Sequence, residues 1–142
     1  MNVKTILQTK GDRLATVPAD ATIETATAQL KAEGVGALVV SSDGETLEGI
    51  ISERDIVRGL VGHGADLLAM PVSAIMTKEV TCCVAADSID DVMAVMSESR
   101  FRHLPILEDG KLKGIISIGD VVKARLNELQ NEADALREYI AM

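Results

Sequence analysis

Gly49-Ile50-Ile51-Ser52-Glu53-Arg54-Asp55-Ile56-Val57 returns 65 positions later as Gly114-Ile115-Ile116-Ser117-Ile118-Gly119-Asp120-Val121-Val122. Seven of the nine positions are identical or exchange Ile for Val, so the chain contains an internal duplication. Upstream, Leu38-Val39-Val40 answers Leu104-Pro105-Ile106 at an offset of 66. The extra residue falls in a longer hairpin turn, Asp43-Gly44-Glu45-Thr46 against Asp109-Gly110-Lys111.

Working outward, each repeat has the same order of elements. Thr22 precedes Ile23, Ala26 and Leu30, and Ser88 precedes Ile89, Val92, Met93 and Met96. Apolar spacings of three and four behind a capping hydroxyl predict a helix buried along one face. Ser88 with Asp91 three residues on has the form of a capping box. Two short apolar runs separated by an Asp-Gly turn predict a strand pair. A second helix starts near Asp55 and again near Asp120. The pattern is β-α-β-β-α twice, an α/β (α+β) fold, with Met70-Pro71 at the junction. About 60 residues bury too little core to stand alone, so the repeats are expected to pack together with approximate twofold symmetry and clefts between them. The expected divisions are 1–70, 71–125 and a helical tail, 126–142. That tail carries a heptad-like seam, Val122, Leu126, Leu129, Ala133, Leu136 and Ile140, flanked by Arg125, Glu128, Glu132 and Arg137. Two uses stay open for it, packing on its own domain or forming a dimer contact.

Composition narrows the function classes. Of 142 residues, 47% are hydrophobic but only 1% aromatic (Phe101 and Tyr139), which leaves no platform for stacking successive bases. A formal net charge of −8 disfavours attraction to polyphosphate chains, so nucleic acid is not an expected partner. No apolar run reaches the roughly 20 residues that span a bilayer, and the first dozen residues lack the apolar centre of a secretion signal. A cytoplasmic protein is expected. Cys82 and Cys83 are adjacent, which disfavours a disulfide between them, and His63 and His103 are isolated in sequence. Buried apolar cysteines and no metal are therefore expected.

The repeated Gly-Ile-Ile-Ser-x-x-Asp brings a hydroxyl and a carboxylate to a helix N-terminus, where unpaired amides and the helix dipole favour an anion. Ser52 and Ser117 can bond phosphate or ribose oxygens, and Asp55 and Asp120 can accept from ribose hydroxyls. The same residues can instead simply cap their helices. Where the second repeat has Arg100-Phe101-Arg102-His103-Leu104-Pro105, the first has Gly34-Val35-Gly36-Ala37-Leu38-Val39, so unequal clefts are expected. Cys83 or Asp120 beside His103 can be written as a catalytic pair, but no spacing motif supports either, and no Walker loop is present. A non-enzymatic protein is expected.

The duplicated Gly-Ile-Ile-Ser-x-x-Asp, Phe101-Arg102-His103-Leu104-Pro105-Ile106 and Val72-Ser73-Ala74-Ile75-Met76-Thr77 together resemble the paired cystathionine-β-synthase (CBS) domains, or Bateman module. The resemblance implies a regulatory module that binds AMP, ADP or ATP, or another adenosyl ligand such as NAD or S-adenosylmethionine. It implies a homodimer and a separate protein effector. It also implies a stronger cleft using Ser117 on phosphate and Asp120 on ribose, with Thr16 and the Val35-Gly36 backbone at the base and Arg102 and His103 near the phosphates. The second cleft would use Ser52 and Asp55, the backbone near Cys82, and Arg54 or Arg102. The alternative is a ligand-free dimerisation scaffold.

Overall fold

The computed structural model describes residues 1–11 and 14–142. Eleven regular elements run in the order α1 (Val3–Lys10), β1 (Thr16–Val17), α2 (Ile23–Glu33), β2 (Ala37–Val40), β3 (Gly49–Ser52), α3 (Glu53–His63), β4 (Cys83–Val84), α4 (Ile89–Ser99), β5 (His103–Glu108), β6 (Lys111–Ser117) and α5 (Ile118–Ala141). Short 3-10 turns at Gly64–Ala69 and Val72–Ala74 join the halves. The expected β-α-β-β-α order thus occurs twice. Each half forms its own three-stranded sheet, β1-β2-β3 and β4-β5-β6. In both, the short first strand runs parallel to the second, and the second pairs antiparallel with the third.

The N-cap residues follow the sequence, but the capping box expected at Ser88 is half formed, with no return bond from Asp91 among the described residues. Thr22 Oγ1 accepts from the Thr25 amide at 3.1 Å, and Ser88 Oγ accepts from the Asp91 amide at 3.0 Å. The α2 helix stops at Gly34, which takes the left-handed conformation (φ 66°) that favours glycine. Behind the caps, Ile23, Ala26 and Leu30 of α2 and Ile89, Val92 and Met96 of α4 are buried. Fully burying an aliphatic side chain of this size contributes about 1.5–3 kcal/mol.

There are two core clusters, and they exchange segments. Val3, Ile6 and Leu7 of α1 pack with Cys83, Ile89, Leu104, Ile106 and Ile116 of the second half. Val72, Ile75 and Met76, which open the second repeat, pack with Val17, Ile23, Leu38 and Ile51 of the first half. The glycine that begins each Gly-Ile-Ile-Ser strand makes room for the visitor. A Cβ on Gly114 would lie 2.8 Å from Leu7 Cδ2, and a Cβ on Gly49 would lie 2.8 Å from the Thr77 carbonyl and 2.9 Å from Met76 Sδ. Thr77 also pairs with Ile50, with backbone bonds of 2.9 and 3.0 Å in the two directions. Each half is therefore completed by the opening segment of the other, as approximate twofold symmetry requires. The spacing Val3-x-x-Ile6-Leu7 against Val72-x-x-Ile75-Met76 is visible in the sequence once the exchange is known.

The tail is not a separate unit. Residues 126–141 continue α5, a single helix of 24 residues whose buried positions are Val121 and Ala124. Leu126, Leu129, Leu136 and Ile140 are 46–75% exposed, so the seam does not pack on its own domain. On α3, Val57, Leu60 and Val61 are exposed as well. Of the cysteines, Cys83 is buried, Cys82 is half-buried, and both are free thiols. Among the described residues, no helix is long and apolar enough to cross a membrane, and no three metal-ligating side chains cluster.

Candidate functional site

The two Gly-Ile-Ile-Ser strands end at equivalent places, each delivering a serine as the N-cap of the following helix. At α3, Ser52 Oγ accepts from the Asp55 amide at 3.2 Å, while Asp55 Oδ2 accepts from the Ser52 amide at 2.9 Å and from its hydroxyl at 3.1 Å. At α5, Ser117 Oγ accepts from the Asp120 amide at 3.1 Å, and Asp120 Oδ2 accepts from the Ser117 amide at 2.9 Å. Both pairs are complete capping boxes. The first amide of each helix is satisfied across the sheet, Glu53 N–H by the Gly36 carbonyl at 3.0 Å and Ile118 N–H by the Arg102 carbonyl at 2.8 Å. To this point the halves are alike.

Their surroundings differ. Beside the Ser52 cap lies an open cleft of about 860 Å³, within the range of small-molecule pockets. Its walls come from both halves: Ser52, Arg54, Asp55 and Arg58 from the first, Thr77, Glu79, Val80 and Thr81 from the exchanged segment and the residues after it, and Arg100, Phe101, Arg102 and His103 from the second. Arg54, Arg58, Arg100 and Arg102 form no ion pair with any described residue, although Glu53, Asp55 and Glu79 share the same walls. Four arginines against three carboxylates thus line one cavity in a chain with a net charge of −8.

The Ser117 cap has a different neighbour. Lys10, at the C-terminal end of α1, reaches over it and donates to Asp120 Oδ2 at 2.8 Å and to the Ile115 carbonyl at 2.9 Å. Partial burial pushes the Asp120 carboxyl upward, but the Lys10 ammonium and the Ser117 amide outweigh it and hold it below the ordinary Asp value. The carboxylate that a ribose would need already has a cation.

His103 lies where the halves meet. Its ring packs over Gly36, with Cε1 3.4 Å from where a Cβ would stand. Burial lowers its basicity, and Lys10 and Arg102 lower it further against the opposing pull of Asp120 and Glu53. These surroundings favour the neutral ring, a polar wall rather than a fixed charge.

The structure thus brings Gly36, Ser52, Arg54, Asp55, Arg102 and His103 to one cavity and keeps other sequence-expected residues apart from it. Ser117 and Asp120 lie under Lys10. Thr16 is in β1, with its carbonyl accepting from Gln29 Nε2 at 3.0 Å, and Val35 is 39% exposed in the turn after α2. The exchanged segment and the residues after it line the cavity as far as Thr81, whereas Cys82 lines a separate small hollow of about 180 Å³ with Cys83, Asp87 and Leu104. Burial raises the Cys82 thiol, and with added repulsion from Asp87 and Cys82 it pushes Cys83 up to about 12, so neither is an activated nucleophile. Sequence reasoning passed over Arg58 as a cleft residue and counted Arg100 only in the contrast between the repeats. Arg58 stands one helical turn beyond Arg54, and that i, i+4 spacing was the available signal.

Comparison with known proteins agrees with this architecture. The family model for the CBS domain matches residues 3–62 and again 72–127. The mitochondrial CBS domain-containing protein CBSX3 of Arabidopsis thaliana is 36% identical over 125 residues, 85% of this chain; the alignment covers 61% of that longer protein. The crystal structure of a CBS-domain-containing protein from Agrobacterium tumefaciens is 46% identical and superposes with a TM-score of 0.84, covering 88% of this chain and 99% of that one. A CBS domain protein of Pyrobaculum aerophilum, solved in complex with AMP, is 25% identical with a TM-score of 0.77, covering 92% and 99%. The matched family is one of regulatory modules rather than catalytic domains. Two matched segments, two exchanged half-cores and a cleft walled by both halves lead to one assignment: the chain belongs to the CBS-domain family, as a tandem pair.

Proposed function

We propose that the protein is a non-catalytic sensor that binds an adenosine nucleotide in the cleft beside Ser52. The observation that carries this reading is the convergence of Arg54, Arg58, Arg100 and Arg102, none of them ion-paired with a described residue, on a cavity walled by both halves. Unpaired guanidinium groups at a helix N-terminus suit a phosphate. Asp55 is positioned to accept from ribose hydroxyls while it continues to cap α3. The AMP complex of the Pyrobaculum protein supports the ligand class, which takes in AMP, ADP and ATP and extends to NAD and S-adenosylmethionine. The cleft of the Ser117–Asp120 cap is the weaker site, because Lys10 must first be displaced. No other cofactor is required.

A ligand that touches both halves favours their closed arrangement, and only by its difference in affinity between closed and open states. Thermal unfolding with AMP, ADP, ATP, NAD and S-adenosylmethionine tests the reading, since a ligand of the native state must raise the midpoint. A rise with one or more of them is expected. No rise with any would favour the alternative of a ligand-free dimerisation scaffold.

A second copy of the chain is the proposed cover for the exposed apolar positions of α3 and α5, Val57, Leu60, Leu126, Leu129 and Leu136. The expected mass by light scattering is that of a dimer, reduced to a monomer by Leu129→Glu with Leu136→Glu. An unchanged mass in the double variant would remove the tail from the interface. A separate effector protein in the cytoplasm would read the closure.

A further inference from the structure

Among the described residues other than glycine, only Arg100 and Asp109 have positive φ. Asp109 stands beside Gly110 in the β5–β6 hairpin turn, where Asp and Gly both tolerate this conformation. Arg100 is different. It ends α4 at φ 59°, ψ 28°, a left-handed conformation that places an L side chain's Cβ against the carbonyl. The duplication supplies an internal control. The equivalent residue ending α2 is Gly34, with nearly the same backbone, φ 66° and ψ 35°. At the same turn of the same fold, one half uses the unstrained residue and the other keeps an arginine under strain.

Among the described residues, no hydrogen bond or ion pair of the Arg100 side chain offsets that strain. Arg100 is exposed and forms no ion pair with a described residue. Its one distinguishing feature is position, because it lines the large cleft on the wall formed by the second half, opposite in origin to the Ser52 cap. Gly34 does not line this cleft. Strain kept at the large cleft, and relieved at the equivalent position that does not line it, marks a residue held for binding.

We propose that Arg100 is a specificity residue of the Ser52 cleft, holding its guanidinium against the outer phosphates of a nucleotide and so favouring di- and triphosphates over the monophosphate. The inference rests on the nucleotide reading of this cleft. The cleft's volume of about 860 Å³ leaves room beyond a monophosphate, and four arginines exceed what one phosphate group engages.

The test is calorimetric titration of the full chain, R100A and R100G with ATP, ADP, AMP and inorganic tripolyphosphate, paired with ligand-free unfolding. R100A keeps the strained backbone and loses the charge, while R100G loses both. Wild type is expected to bind ATP more tightly than AMP. Both variants are expected to lose about 10-fold on ATP and on tripolyphosphate and little on AMP. R100G alone is expected to unfold roughly 2–4 °C higher, through relief of the left-handed strain. Unchanged ATP affinity in both variants, or equal losses on AMP and ATP, would overturn the proposal. If wild type binds tripolyphosphate and no nucleotide, the adenosine reading fails while tripolyphosphate still decides the role of Arg100. If wild type binds neither, both fall.

Discussion

The Ser52 and Ser117 caps share one motif and nearly the same bonds, yet one borders an open cavity and the other lies under a lysine. Ser-x-x-Asp makes the same capping box in each, with amide-to-carboxylate bonds of 2.9 Å in both. What differs is the segment each half borrows. The first half receives 72–77, which pairs with β3 at Thr77 and opens onto the cavity there. The second receives α1, which ends in Lys10 with its ammonium on Asp120. A duplicated motif therefore identifies a shared structural device, and its neighbours decide whether a ligand can use it.

The largest effect expected from breaking this comparison lies in binding. Asp55→Ala and Asp120→Ala each remove half of a capping box and are expected to cost about 1 kcal/mol of stability. Only Asp55→Ala is expected to weaken nucleotide binding, by roughly 10- to 100-fold, the loss of hydrogen bonds to a charged group. Matched stability losses with the affinity loss at Asp120 instead would move the ligand to the other cleft.

Next in size is the contrast between the crossing glycines. An alanine at Gly49 meets the Thr77 backbone carbonyl, which is held by its pairing with Ile50, whereas an alanine at Gly114 meets only the end of the Leu7 side chain. Gly49→Ala is expected to destabilise by about 2–3 kcal/mol and Gly114→Ala by about 1 kcal/mol or less, because a side chain can change rotamer and a paired backbone cannot. Urea denaturation of the two variants gives the difference directly, and equal losses would mean that the two crossings are equally rigid.

The smallest stability change is expected at Lys10→Met. Lys10 and Asp120 are 37% and 24% exposed, so solvent screening keeps the ion pair below about 1 kcal/mol. Its effect on occupancy is the sharper readout. With the ammonium gone, a second and weaker nucleotide-binding event should appear in calorimetry, supported by the freed Asp120. A single event in both proteins would mean that something other than Lys10 closes that cleft.

Much of this was legible in the sequence because its physics is local. Capping hydroxyls, three-and-four apolar spacing and Asp-Gly turns act over a few residues, and the duplication tied their reading in one half to the other. The inequality of the two clefts was also legible, since Arg100-Phe101-Arg102 stands where the first repeat has Gly34-Val35-Gly36. Which cap carries a lysine was not. That depends on Lys10 meeting Asp120 across 110 residues, a contact that no local pattern encodes.

By itself, then, the sequence determined two β-α-β-β-α repeats, their caps and turns, and an apolar seam on the last helix, all consequences of short-range backbone and burial preferences. Only the tertiary structure decided that α1 completes the second core, that four arginines face one cavity, that the tail's leucines lie exposed, and that Arg100 holds a glycine's conformation. Each of these depends on chain segments far apart in sequence or on a backbone torsion, and neither is written in residue spacing.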